Sequence, residues 1–222
     1  AVVVLFFHTL NPLSPRKNAE QKKSTLHLWL KVIVACIPAA VIGLPLEDTI
    51  DKLFFNWVVV AIALIVYGVA FLLAENWNKG RAPRIDHFKK MDYRAVLFIG
   101  AFQALSMIPG TSRSGATILG AILLGCSRTV AAEFSFFLAI PTMLGASGLK
   151  FVKYVVGGVD AGAKEWGLLI VAAAVSFVVS VLTIRFLMDF IKKHDFKPFG
   201  WYRIALGLFV LAYFGGQWVF AR

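Results

Sequence analysis

Apolar runs of about twenty residues, the length a helix needs to cross a hydrocarbon core of about 30 Å, recur along this chain. Five read as full spans: residues 28–46, 53–74, 134–149 with a few flanking positions, 166–188 and 202–220. Residues 1–7 read as the tail of a sixth. The polar connections set the orientation, because Lys and Arg collect on the cytoplasmic side. The connection 8–27 carries Arg16, Lys17, Lys22 and Lys23 against Glu20 alone, 75–94 carries Lys79, Arg81, Arg84, Lys89, Lys90 and Arg94, and 189–203 carries Lys192, Lys193, Lys197 and Arg203. These three, with Arg128, belong inside. The connections 47–52 (Glu47, Asp48, Asp51, Lys52) and 150–165 belong outside. Trp57 and Trp77 fall where interfacial anchors would, Lys31 can snorkel from its span, and Pro38 and Pro45 are expected to kink or end theirs.

One stretch breaks the alternation. Residues 95–126 begin inside and end inside, yet they are mostly apolar. The two arms, 95–108 and 113–126, each reach about 21 Å as helix, too short to cross. The economical solution is a re-entrant helix hairpin over about 95–127, turning at Pro109-Gly110. Non-helical backbone at that depth needs protein or a watery cavity around it, so the turn is expected near the midplane, facing a cavity. Gly115, Gly120 and Gly125 with Ala116 and Ala121 leave the returning arm small enough for close packing. The fold class expected is therefore an all-α polytopic membrane protein, a single integral membrane domain over 1–222. A unit of one hairpin plus three spans inverts on repetition because three is odd. An inverted-repeat bundle with a first hairpin upstream of residue 1 is expected on that ground.

Composition agrees: 59% of residues are hydrophobic and mean hydropathy is +0.76. The net charge of +11 would suggest nucleic acid in a soluble chain. Here it is assigned to basic inner loops and anionic lipid, with no nucleic-acid partner. Cys36 and Cys126 lie in apolar runs and read as small buried hydrophobes. The chain lacks an initiator Met and opens as the end of a span, so an N-terminal part is expected before it.

The hairpin turn is Pro109-Gly110-Thr111-Ser112-Arg113-Ser114-Gly115-Ala116-Thr117. An arginine at bilayer depth is costly and by default functional. A Ser or Thr followed by a helical pattern, as here, reads as an N-cap. A helix start with free N–H groups, hydroxyls and a guanidinium is an anion site, phosphate above all. The rival reading is a tight turn whose arginine snorkels. A nucleophile at Ser112 or Ser114 would need a base, and His8, His27, His87 and His194 all fall in inner loops. Glu133 is the one carboxylate near the motif, and pairing with Arg128 or Arg113 suits it better than catalysis.

The motif and the Gln-Ala-Leu-Ser-Met-Ile that precedes it at 103–108 resemble the second signature of the bacterial undecaprenyl-diphosphate phosphatases, the bacitracin-resistance phosphatase family. The run Ala-Glu-Phe-Ser-Phe-Phe-Leu-Ala-Ile-Pro-Thr-Met-Leu-Gly-Ala at 132–146 and the opening Ala-Val-Val-Val-Leu-Phe-Phe-His are also similar to that family. The resemblance implies hydrolysis of undecaprenyl diphosphate to undecaprenyl phosphate and inorganic phosphate. This recycles the peptidoglycan lipid carrier and confers bacitracin resistance. It implies a multi-pass protein of the bacterial cytoplasmic (inner) membrane, a polyprenyl diphosphate substrate, a divalent cation (Mg or Ca) and a pocket open to the outer face; it admits a homodimer. Arg113, Ser112 and Ser114 would be the catalytic residues, and Gly110, Thr111, Ser112, Arg113 and Thr117 would bind phosphate. The family's first signature, a glutamate-rich run followed by a Ser-Ser-Thr-Gly-His hairpin, is absent from these residues. No metal ligand is therefore assigned, the cation's ligands are expected mainly upstream, and the chain alone is expected to be inactive. Two rivals remain. Histidine-dependent lipid phosphatases need a histidine after the Ser-Arg pair, and 115–126 has none. A transporter or flippase for a phosphorylated lipid would share the architecture.

Overall fold

The computed structural model describes residues 1–15, 17–157 and 162–220. Arg16, the side chains of Glu47, Asp48 and Asp51, and part of the 150–165 connection lie outside the described residues. The elements are α1 (Val2–Leu5), α2 (Phe7–Leu10), α3 (Ala19–Phe54), α4 (Trp57–Asn78), a single 3-10 turn (Phe88–Lys90), α5 (Tyr93–Leu105), α6 (Arg113–Leu123), α7 (Arg128–Val156), α8 (Ala163–Lys193) and α9 (Lys197–Phe220). Five of them, α3, α4, α7, α8 and α9, are long and apolar enough to cross a membrane. The tail at residues 1–7 is divided into two single turns at Phe6.

Helix α3 departs from expectation. It runs unbroken through Pro38 and Pro45. Each proline removes one N–H and frees the carbonyl four residues back, at Val34 and Val41, and both losses are absorbed without a break. The connection expected at 47–52 is the end of this helix, and the turn into α4 is confined to residues 55 and 56. There Asn56 caps α4 by accepting the Val59 N–H at 3.0 Å.

Helices α5 and α6 are 13 and 11 residues long, about 20 and 17 Å, and pack on each other. Asp92 caps α5 by accepting the Ala95 N–H at 2.8 Å. The far end of α6 returns to the loop from which α5 departs: Gly125 O accepts the N–H groups of Arg84 (2.9 Å) and Ile85 (3.1 Å), and Ser127 N–H donates to Ile85 O (2.8 Å). Entry and exit thus share one side.

The tip reaches farther than the midplane. Gly110 abuts Val60, in the first turn of α4 at the end remote from the basic 75–94 loop, and Met107 lies over Gly43, the last residue of the apolar stretch of α3. The hairpin is wedged between α3, which lines α5, and α4 and α7, which flank α6. Val96 and Ile99 of its first arm, both fully buried, join Phe134, Phe137 and Leu138 of α7 in the core. Helices α4 and α9 run together where Gly68 and Gly200 allow backbone contact; a Cβ on either would stand within 3 Å of the other's carbonyl. Helix α8 leans on α7, and its apolar window is entirely unburied within the chain, as a lipid-facing helix must be.

Candidate active site

The tip is built around two unusual backbone conformations. Gly110 has φ +90°, and a Cβ there would stand 2.5 Å from Val60 O, so this position requires glycine. Ser112 has φ 64° and ψ 118°, and it is the one non-glycine residue with positive φ among those described. Such strain collects at functional sites. It lets Ser112 turn its Oγ back over α6, where it accepts the Gly115 N–H at 3.3 Å, while its carbonyl accepts Ala116 N–H at 2.9 Å. The N–H groups of Arg113 and Ser114 meet no acceptor among the described residues. They remain the positive end of the helix.

Three side chains frame that end. Ser112 and Ser114 are exposed, their oxygens 3.5 Å apart, and Arg113 is half-buried. No carboxylate among the described residues pairs with Arg113. Cys36 of α3 is close to both Arg113 and Thr142, and it lines a cavity of about 710 Å3 between α3 and α7. Met107, Gly43, Pro141, Gly145, Lys150 and Lys153 line the same cavity. The guanidinium, two N–H groups without an acceptor among the described residues and two hydroxyls stand together in a cradle of donors, the kind of set that a multiply charged oxyanion takes.

The other expected ligands are deeper. Thr111 is fully buried, with an Oγ1 that has no hydrogen-bond partner among the described residues. Thr117, also buried, faces the Arg113 and Ser114 carbonyls (3.1 Å each) and the Ser135 hydroxyl (2.6 Å). It fastens α6 to α7 and holds Arg113 in register from one turn below. Glu133 pairs with neither Arg113 nor Arg128. Arg128 instead engages Glu75, 2% exposed, through Nε (3.0 Å) and Nη2 (2.6 Å), and Glu75 also accepts Phe196 N–H at 3.1 Å. Glu75, read from sequence as a loop residue, is thus the buried tie between α4, α7 and the start of α9. Among the described residues, no three His, Cys, Asp or Glu side chains come together as a metal site.

Sequence reading missed Arg203. It was counted with the inner loop, but α9 begins at Lys197 and Arg203 is buried at 8% exposure. Its Nη2 donates to Gly110 O (2.7 Å) and Thr111 O (2.8 Å), and its Nη1 lies next to Gly115. A second intramembrane arginine therefore grips the turn from behind. Pro198 was the available signal: proline fits the first turn of a helix, which places Arg203 well inside α9.

The model of the bacitracin resistance protein BacA family matches residues 1–209. A Lactiplantibacillus plantarum undecaprenyl-diphosphatase is 58% identical over 214 residues, covering 96% of this chain and 78% of the relative. The Enterococcus faecalis undecaprenyl-diphosphatase is 55% identical over 221 residues, 100% of this chain and 79% of the relative. Undecaprenyl-diphosphatase 1 of Clostridioides difficile is 59% identical over 214 residues, 96% of this chain and 76% of the relative. With a family match over nearly the whole length and relatives above half identical, this chain belongs to the bacitracin resistance protein BacA family.

Proposed function

We propose that this protein is an undecaprenyl-diphosphate phosphatase of the bacterial cytoplasmic membrane. It cleaves the phosphoanhydride with water to give undecaprenyl phosphate and inorganic phosphate. The observation that carries the reading is Arg113, a membrane-embedded guanidinium without a carboxylate partner among the described residues, at the start of a helix whose first N–H groups meet no acceptor among them. The names of the relatives support the substrate.

In phosphoanhydride cleavage the bridging P–O bond breaks, water supplies the new P–O bond, and its proton leaves to solvent. Negative charge shifts toward the bridging oxygen and the peripheral oxygens throughout. A protein accelerates this mainly by fixed positive groups aimed at those oxygens. Arg113 can engage two of them at once through its planar fork. The Arg113 and Ser114 N–H groups add a helix-end dipole. Gly115 N–H occupies one side of Ser112 Oγ, which leaves the Ser112 O–H to donate outward, with Ser114 O–H beside it. No histidine or carboxylate hydrogen-bonds to either serine among the described residues. This chain's serines are accordingly assigned as donors to phosphate. The described residues offer no ligand set for the divalent cation implied by the resemblance, and no step is derived through it.

Phosphate release from a C55 lipid diphosphate by the full gene product in proteoliposomes tests the reading. Release that falls on the order of 100-fold in Arg113→Lys is expected. No release by the parent protein would refute it.

A further inference from the structure

The same hairpin ends, at its other extremity, on a second basic site that phosphatase chemistry leaves unused. A cavity of about 550 Å3 opens between the end of α4, the loop that follows it, the end of α6 and the start of α7. Lys79, Arg81, Arg84, Arg128 and Lys192 line it, with Glu75 as its one carboxylate. Glu75 is consumed by Arg128, and Lys192 has Asp189 at 3.5 Å. Lys79, Arg81 and Arg84 have no carboxylate partner among the described residues.

Three features separate this place from an ordinary basic loop. Positive charge that only orients a membrane protein needs neither a concavity nor a fixed backbone. Here the loop is pinned to the hairpin: Gly125 O accepts from Arg84 N–H and Ile85 N–H, Ser127 N–H donates to Ile85 O, and Asn78 Nδ2 donates to Ile122 O at 3.2 Å. Arg81 is also ordered, with its guanidinium 4.8 Å from the centre of the Trp77 ring. Finally, Trp77 is 52% exposed at the end of a span, the position at which tryptophan marks head-group depth. The cavity therefore offers unneutralised guanidinium forks at the level where lipid phosphates lie, and guanidinium matches phosphate oxygens two at a time.

We propose that this inner-face cavity binds a phosphate-bearing anion, the head group of an anionic phospholipid or free phosphate, through Arg81 and Arg84 with Lys79 at the rim. Basic pockets between spans on the cytoplasmic side are suited to that chemistry. Because α6 starts at the Arg113 cradle and ends on this cavity, an anion held here anchors the helix that carries the cradle.

The experiment uses the full gene product in nanodiscs of phosphatidylcholine with a minor fraction of phosphatidylglycerol. Lipids retained on release are counted by native mass spectrometry. The parent protein is expected to retain phosphatidylglycerol in preference to phosphatidylcholine. Arg81→Gln with Arg84→Gln should lose that retention on the order of tenfold, whereas Lys52→Gln with Lys164→Gln, on the other face, should keep it. A second arm, in phosphatidylcholine alone, compares the melting of the parent protein and of the Arg81/Arg84 variant in millimolar inorganic phosphate and in chloride of equal ionic strength. A phosphate stabilisation that the variant loses identifies a site open to the free ion, a shift that both share belongs to the Arg113 end and counts as none here, and retention of phosphatidylglycerol without a variant-sensitive shift identifies a head-group site. A parent protein that shows neither preferential retention nor a phosphate shift overturns the proposal, whatever the variants do. So does equal retention by the parent and the Arg81/Arg84 variant.

Discussion

Arg113 and Arg203 stand on opposite sides of one turn, and they illustrate how differently the same side chain can be used in a membrane. Arg113 stands in the cradle with no carboxylate partner among the described residues, whereas Arg203 spends one nitrogen on two carbonyls of the turn. Arg113→Lys replaces a fork with a point charge and should lose turnover on the order of 100-fold with little loss of folded yield. Near-parental turnover would return Arg113 to a snorkelling role. Arg203→Gln acts at one remove. By loosening the Gly110–Thr111 carbonyls it should lower kcat on the order of tenfold to 100-fold with KM nearly unchanged, because misplacement by about 1 Å is that costly. A purely structural Arg203 would lower the yield of folded enzyme and leave kcat per folded molecule intact. Arg128 is a third case. Its removal strands the Glu75 carboxylate, which is 2% exposed, and a stranded buried charge costs about 3–5 kcal/mol. Arg128→Ala should therefore appear in thermal melting before it appears in turnover.

The hairpin is the element where sequence and structure can be compared most closely. That it exists was legible from lengths and charges, since two arms of about 21 Å between two basic loops have no other economical path. Its depth was not, because depth is set by where Met107 meets Gly43 and Gly110 meets Val60, contacts across elements that no local pattern encodes. The motif residues were legible as a group, but which of them face open space was not: Ser112 and Ser114 do, whereas Thr111 and Thr117 are buried. Arg203 and Glu75 were misplaced because charge counting assigns a residue near a helix end to the loop. The strain at Ser112 gives a prediction at this scale. Ser112→Gly and Ser112→Ala both remove the hydroxyl and should lower turnover alike. Glycine, however, accepts φ 64° and serves as an N-cap at a cost of only a few tenths of a kcal/mol. Ser112→Gly should consequently be the more stable of the two by about 1 kcal/mol in chemical melting. Equal stabilities would mean that the backbone there is not strained. Gly110→Ala, with Val60 O at 2.5 Å from the new Cβ, should fail to seat the tip at all.

Among the described residues, five spans and one hairpin make a definite pattern of exposure. Single cysteines at 94 and 128, at the two ends of the hairpin, should be labelled from one side by a membrane-impermeant maleimide, and cysteines at 52 and 153 from the other. Labelling of 94 and 128 from opposite sides would refute the arrangement. Because Gly125 and Ser127 return to the loop that α5 leaves, the hairpin contributes no net crossing. Every span after it has the same direction whether the hairpin is seated or not. Biogenesis can therefore fix the topology first and push the Ser112–Arg113 tip between α3, α4 and α7 last, with no extramembrane loop having to change sides. A chain stalled at that step would be indistinguishable from the finished protein by loop labelling, yet would hold Arg113 outside the place between α3, α4 and α7 where the tip is seated.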